Sequence, residues 1–281
     1  MELEAKTAVI TGGASGIGLA TARQFAASGV NLVLGDVEDA PLRRAVQELR
    51  GAGARVLGVL GDVSREADVE ALRDAALGEF GAVHVVFNNA GVAAGPALGT
   101  PKQIWDWVLG VNLDGVINGL NAFVPLFLDQ NEGHVVNTGS LAGLGGVPGM
   151  GAYCASKFAV VGLSESLFHE LALSGKNVGV SVLCPGFVRT RIFESHRNMP
   201  PELQSYNENP TVQAINAVAH DAVSAGIDAA DVARAIEGAV RANQFWILTH
   251  ERAALRTMEQ RLDWMRGGPP LGINLTAATQ P

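Results

Sequence analysis

Cysteine is almost missing from this chain. Cys154 and Cys184 are the two thiols in 281 residues, too few for the disulfide framework that staples small secreted domains. Basic clusters are missing too. Lysine and arginine number 20 against 28 acids, a formal net charge of −8, and no basic run occurs, so neither nucleic acid nor an anionic membrane is expected as a partner. Apolar runs are broken by polar residues or glycine well before the roughly 18 residues of a membrane-spanning helix, which predicts no span. The start, MELEAKTAVITGG, lacks the basic residues, apolar core and cleavage site of a secretory leader. A cytoplasmic protein with a small-molecule partner is the expectation. The six histidines and two cysteines show no metal-ligand spacing, so no metal site is expected.

What the chain has in excess is glycine. There are 34 glycines in 281 residues, where about 7% is ordinary, and charged residues at 17% fall below the usual share of roughly 25%. With no G-X-Y period collagen is excluded, and 48% hydrophobic residues leave ample material for a core. Four of the glycines stand in residues 12–18 and six in 139–151.

Short β-branched runs alternate with helical patterns through the first 190 residues. Thr7–Thr11, Asn31–Leu34, Val56–Leu60, Val83–Phe87, His134–Asn137 and Val178–Leu183 read as strands; helices are predicted near 16–28, 40–51, 66–79, 101–130 and 153–174. Strands apolar on both faces and separated by helices predict a parallel sheet covered on both sides, an α/β doubly wound fold of Rossmann type in three α/β/α layers. Its ligand site is expected beyond the carboxyl ends of the strands. No internal repeat or linker divides the chain, so residues 1–250 are expected to form a single domain, with a helix near 229–242 and a strand Phe245–Leu248 completing it. Within it, 191–227 reads as a mobile, partly helical insertion. Residues 251–281 read as a helical extension and tail, with Leu255, Met258, Leu262 and Met265 on one apolar face. That face suits either its own domain or a homo-oligomer, dimer or tetramer.

The first glycine segment joins the first strand to the first helix as Thr11-Gly12-Gly13-Ala14-Ser15-Gly16-Ile17-Gly18. A backbone turning tightly under a pyrophosphate has no room for side chains, and a helix N-terminus favours the anion. The spacing is Gly-x3-Gly-x-Gly and not the G-x-G-x-x-G fingerprint. Asp36, 20 positions after Gly16 at the end of the second strand, stands where a carboxylate can take the adenosine ribose hydroxyls. A 2′-phosphate there would meet negative charge, and neither Ala14 nor Ser15 nor Val37 offers a cation. NAD is therefore expected over NADP.

Tyr153 and Lys157 are four apart in a helical pattern, so they share a face. A phenol is a poor proton donor or acceptor at neutral pH, and a nearby ammonium favours the phenolate. Taken together, these features resemble the short-chain dehydrogenase/reductase family. Thr11 to Gly18 matches its TGxxxGxG turn, Asn88-Asn89-Ala90-Gly91 its NNAG motif, and Tyr153 to Lys157 its YxxxK. Ser140, 13 before the tyrosine, Asn112 in Val111-Asn112-Leu113-Asp114-Gly115, and Pro185-Gly186 after the sixth strand complete the pattern over residues 5–250.

The resemblance implies a role for each residue. Tyr153 would be the general acid in carbonyl reduction and the base in alcohol oxidation. Ser140 would hydrogen-bond the substrate oxygen, Lys157 would hold the nicotinamide ribose and shift the tyrosine, and Asn112 would position a relay water. Gly12, Ser15, Gly16, Ile17 and Gly18 would cradle the pyrophosphate; Asp62 and Val63 would contact the adenine; Asn89, Ala90 and Gly91 would line the cofactor. Pro185, Gly186, Val188 and Thr190 would cover the nicotinamide. Asn88 and His84 read as structural, and His169 as a packing residue.

The substrate is expected between the loop 141–150, with Leu141, Ala142 and Met150, and the insertion, with Phe187, Ile192, Phe193, Met199, Leu203 and Tyr206. These residues are largely apolar, so the implied enzyme is an oxidoreductase moving hydride between NAD(H) and a hydrophobic or aromatic secondary alcohol or ketone. One alternative is a carrier-protein-linked 3-oxoacyl reductase using Arg189, Arg191 and Arg197 for anionic contacts. Another is a non-catalytic nicotinamide-dinucleotide sensor. A serine hydrolase is excluded, because Gly139-Ser140-Leu141-Ala142-Gly143 is not G-x-S-x-G.

Overall fold

A strand flanked by helices on both sides must be apolar at successive positions, and Thr7–Thr11 is buried at all five. It forms β1 of a computed structural model that describes residues 1–272. In chain order follow α1 (Gly16–Ala27), β2 (Asn31–Asp36), α2 (Asp39–Gly51), β3 (Val56–Leu60), α3 (Glu66–Phe80) and β4 (Val85–Asn88). Next come α4 (Lys102–Leu109), a π-helical turn Gly110–Asp114, α5 (Gly115–Gln130), β5 (Gly133–Thr138), α6 (Gly151–Ser174) and β6 (Val178–Leu183). The chain then passes through short helical turns Ile192–Asn198 and Pro201–Glu208 to α7 (Pro210–Ser224), α8 (Ala229–Ala242), β7 (Trp246–Ile247) and α9 (Glu251–Met265).

The seven strands pair in parallel in the order β3-β2-β1-β4-β5-β6-β7. The sheet grows outward from β1 to β3, then crosses back to lay β4 on the other side of β1. This reversal opens a crevice at the carboxyl ends of β1 and β4, where backbone groups are not covered by a crossing connection. One face carries a core that includes Phe25, Leu34, Leu42 and Ile236; the other carries Val69, Leu72, Phe123 and Phe127. The expected doubly wound α/β/α architecture is the one observed.

Three local expectations need correction. The helix expected over 101–130 is not α-helical throughout: it contains a π turn at Gly110–Asp114, where the Asn112 side chain bonds the Val92 backbone. Despite its polar breaks, Lys102–Gln130 runs on as a single 29-residue helical stretch whose most apolar 18 residues reach a mean hydropathy of 1.3. It is therefore long and apolar enough to cross a membrane, contrary to the sequence expectation, and 44% of that window is buried, with Ala122, Phe123 and Phe127 packed under the sheet. β4 starts at Val85 and β7 is only Trp246–Ile247, although the flanking His84 and Phe245 still exchange backbone hydrogen bonds with neighbouring strands. Residues 273–281 of the expected extension lie outside the described residues.

His134 sits 2% exposed in β5. Ser181 donates to the Gln244 carbonyl at 2.6 Å, leaving its oxygen to accept from His134 Nε2 at 2.8 Å. Burial lowers His134 to about 3, and His84 and His250 are lowered for the same reason. A histidine held below its unfolded value near 6.5 stabilises the fold above that pH and loses this contribution as pH falls toward about 3. Urea unfolding is therefore expected to give a stability about 1–2 kcal/mol lower at pH 5 than at pH 7. His134→Gln is expected to flatten that slope; an equal slope in both proteins would contradict the assignment.

Candidate active site

The turn after β1 is built where side chains cannot fit. Gly12 and Gly16 have φ of +62° and +52°, and a Cβ on Gly12 would lie 2.9 Å from the Ala90 Cα. Gly18 lies behind the turn; a Cβ there would come 2.2 Å from the Gly12 carbonyl oxygen, so it sets the close approach of α1 to β1. Asn89 fastens the turn to the end of β4 by donating to the Thr11 and Gly12 carbonyls at 2.9 and 3.3 Å. Ser15 makes no side-chain cap to α1, so the positive end of this helix faces the crevice uncapped. Backbone stripped of side chains, next to a helix N-terminus, fits the pyrophosphate of a dinucleotide.

Asp36 closes the crevice at the end of β2. Its carboxylate accepts from the Ala14 and Glu38 N–H groups, both at 3.0 Å. Burial pushes its pKa up, and those backbone donors oppose the shift. Beyond the end of β3, the Asp62 carboxylate accepts from Ser64 N and Oγ at 3.0 and 2.8 Å, and the Val63 carbonyl accepts from Asn118 at 2.9 Å. Thr190, where the chain leaves β6 for the insertion, lies over Gly16, within 3.2 Å of a Cβ placed there.

At the other end of the crevice, α6 presents Tyr153 and Lys157 from its first two turns. Ser140 follows β5 with extended backbone and caps the turn Leu141–Gly143, accepting from Ala142 N at 3.1 Å. Its hydroxyl also lies beside the Tyr153 phenol. Lys157 is 2% exposed and donates to the Thr138 carbonyl at 2.8 Å, and Nζ is 5.6 Å from the centre of the Tyr153 ring. Burial lowers the ammonium to about 8. The same burial raises the phenol to about 12, with the Ser140 hydroxyl pulling the other way.

This corrects the expectation that the ammonium draws the tyrosine down. Lys157 is turned toward Thr138, and desolvation of the phenolate dominates. The side chain of Asn112 is committed as well: it accepts from Val92 N at 2.8 Å and donates to Val92 O and Ser156 Oγ at 2.9 and 3.0 Å.

One cavity of about 340 Å³ joins both ends of the crevice. Of the predicted catalytic and cofactor residues, Gly18 and Asn112 stand behind its wall and the others line it, as do Leu141, Ala142, Met150, Phe187, Ile192 and Phe193 of the expected substrate pocket. The two residues read as structural are pinned away from it: Asn88 donates to Asn137 at 2.9 Å, and His84 accepts from Thr7 N at 3.1 Å. His169 is exposed, edge-on to Phe168, instead of packed in the core. Met199, Leu203 and Tyr206 also miss the cavity. They pack with Ile104 and Val108, and the Tyr206 hydroxyl sits 3.0 Å from Thr100 Oγ1. Each arginine offered for anionic contacts is paired: Arg189 with Asp228 at 2.7 Å, Arg191 with Glu194 at 2.6 Å and Arg197 with Glu38 at 2.9 Å.

Two contributions had no signal in the sequence. His250 is fully buried and accepts from Gly186 N at 3.1 Å through Nδ1, fixing the loop after β6. α9 closes the substrate end with Arg256, Thr257 and Gln260, Thr257 pressing on Gly145. Its apolar residues Leu255, Met258, Leu262 and Met265 point outward and are exposed.

A family model described as short chain dehydrogenase matches residues 6–201. A CLA biosynthesis dehydrogenase/reductase of Lactiplantibacillus plantarum is 31% identical over 251 residues, 87% of this chain and 88% of its own. A 3-oxoacyl-acyl-carrier-protein reductase of Thermotoga maritima is 36% identical over 195 residues, 69% of this chain and 78% of its own. Among solved structures, a short chain dehydrogenase/reductase from Burkholderia phymatum in complex with NAD superposes with a TM-score of 0.93 at 44% identity, over 98% of this chain and 99% of that one.

Proposed function

This chain belongs to the short-chain dehydrogenase family, and from that premise we propose that it oxidises a hydrophobic or aromatic secondary alcohol, or reduces the matching ketone, with NAD(H). The observation that carries the proposal is a half-buried Tyr153 on the cavity wall beside the Ser140 hydroxyl, its phenol protonated, with Lys157 one turn on, at the end of a glycine-walled groove. When bound, the nicotinamide supplies or accepts the hydride.

The protein's own residues handle the proton and the geometry. In reduction Tyr153 gives its phenolic proton to the carbonyl oxygen, and in oxidation the phenolate takes the alcohol proton. Ser140 donates to the same oxygen as charge develops on it. Lys157 uses one proton on Thr138, which leaves two for the ribose hydroxyls of the nicotinamide half. Asn112 holds the π turn with its side chain, so positioning of a relay water would fall to that turn's backbone. The apolar wall from Leu141, Ala142, Met150, Phe187 and Phe193 supports the substrate class. The exposed apolar face of α9 supports a homo-oligomer, and the proposal takes residues 191–227 as the lid of the site, residues 1–250 as its domain and the cytoplasm as its location.

The similarity to a 3-oxoacyl reductase favours a second reading, carrier-linked 3-oxoacyl substrates. The pairing of Arg189, Arg191 and Arg197 with their own acids weighs against it. A panel of secondary alcohols, ketones and 3-oxoacyl thioesters with each cofactor decides between them. Turnover of thioesters alone would overturn the alcohol reading.

Asp36 is the proposed selector of NAD. Asp36→Ala is expected to shift the NAD-to-NADP ratio of kcat/KM toward NADP by about tenfold, the scale of one charged hydrogen bond. An unchanged ratio in steady-state assays would contradict the ribose contact.

A further inference from the structure

β2 runs into α2 through Asp36-Val37-Glu38, and the second carboxylate has a partner from far along the chain. Arg197, in the first turn of the insertion, donates through Nε to both Glu38 oxygens at 3.1 Å and through Nη2 to Oε2 at 2.9 Å. Its Nη1 is held too, by the Arg191 and Glu194 carbonyls at 3.1 and 2.9 Å. The two side chains are 23% and 18% exposed, enough removed from water for the charges to act strongly. Arg197 holds the Glu38 carboxyl below its usual range, with Asn198 and Arg191 adding to it.

The pair spans the crevice. Glu38 stands on the wall that carries Asp36, while Arg191, Arg197 and Asn198 form the wall opposite, and all five line the same cavity. Glu38 N donates to the Asp36 carboxylate at 3.0 Å, so the strap lies at the adenosine end of the proposed NAD site.

We infer that Glu38 is a specificity-determining residue, which excludes NADP by withholding Arg197 from a 2′-phosphate. This rests on the reading of the crevice as a dinucleotide site with the ribose at Asp36. A 2′-phosphate there brings a charge of about −1.5 to −2. It meets Asp36 and Glu38, and the guanidinium able to neutralise it is already engaged on its fork by a carboxylate. Selection is therefore divided. Asp36 favours the free hydroxyls, and Glu38 removes the cation that would reward the phosphate.

The test is fluorescence titration of NADH and NADPH on the full chain, at one low ionic strength. Asp36→Ala is the starting background, because it lifts the direct repulsion. Adding Glu38→Gln is expected to tighten NADPH about tenfold, the factor of one charge-assisted contact, with NADH changing much less. Adding Glu38→Asp, which keeps the charge, is expected to give no such gain. Placing Arg197→Ala on the Asp36→Ala, Glu38→Gln protein is expected to abolish the gain. Weakening of both cofactors by Glu38→Gln would overturn the inference and leave Glu38 as a tie for the insertion. A gain that survives Arg197→Ala would overturn it as well. Failure of the unaltered chain to bind either nucleotide would overturn the underlying site reading, whereas NADH binding with no NADPH gain overturns this inference alone.

Discussion

Tyr153→Phe is expected to lower kcat/KM by about 10²–10⁴-fold, the range of a lost general acid or base, while NADH binding by fluorescence titration stays within about twofold. The substitution removes one oxygen and keeps the ring that fills this part of the cavity. Ser140 still accepts from Ala142 N at 3.1 Å, so the loop after β5 keeps its cap. Retained turnover with lost NADH binding would refute the role. The structure also gives the pH behaviour. A phenol pushed up to about 12 is protonated at neutral pH and ready to donate, so carbonyl reduction needs no titration of Tyr153. Alcohol oxidation needs the phenolate, and its rate is expected to rise with pH through the neutral range. Lys157, lowered to about 8, loses its charge above that value, and reduction is expected to fall there.

Lys157→Met is the second large effect, and it separates function from folding. An ammonium at 2% exposure with one protein hydrogen bond is costly to keep, because water is withdrawn from the charge and Thr138 returns only one contact. Methionine has similar length and no charge. Turnover is expected to fall by about 10²–10³-fold, the scale of one lost electrostatic stabiliser of the transition state. Unfolding free energy is expected to stay level or rise, since replacing a buried ion with a well-packed apolar side chain is neutral or stabilising by about 1–4 kcal/mol. Urea unfolding beside steady-state kinetics checks both. Equal loss of stability and activity would make Lys157 a structural residue.

Most of the site is legible in the sequence because its parts are local. The glycines of residues 12–18 stand in one turn, Tyr153 and Lys157 on one helix face, and Asp36 at a strand end, so spacing places these, while Asn112, Ser140, Asp62, Val63 and Thr190 are named by the family resemblance. The strand pattern is equally plain, since burial on both faces makes the strand centres rich in β-branched and apolar residues, as in Ala8–Ile10, Leu32–Leu34 and Val85–Phe87. What stayed hidden depends on partners distant in sequence. Glu38 and Arg197 are 159 residues apart, and His250 meets Gly186 across 64. Neither pairing leaves a periodic trace.

Electrostatics was misread for a related reason. Four-residue spacing puts Lys157 near Tyr153, but only the fold turns the ammonium to Thr138 and withdraws enough water from the phenol to reverse the shift. The π turn at Asn112 is likewise imposed by the Val92 backbone, which no reading of 101–130 by itself contains. α9 carries a visible apolar face, yet it is the opposite face, with Thr257 against Gly145, that reaches the cavity.

The central claim is that this chain moves hydride between NAD and a secondary alcohol, with Tyr153 taking the proton. It is tested most directly by incubating the unaltered protein and Tyr153→Phe with NAD and a hydrophobic secondary alcohol deuterated at its carbinol carbon. Mass spectrometry of the recovered nucleotide reads the transfer. The account predicts deuterated NADH from the unaltered protein and almost none from Tyr153→Phe. Undeuterated NADH, or equal deuteration by both proteins, would contradict it.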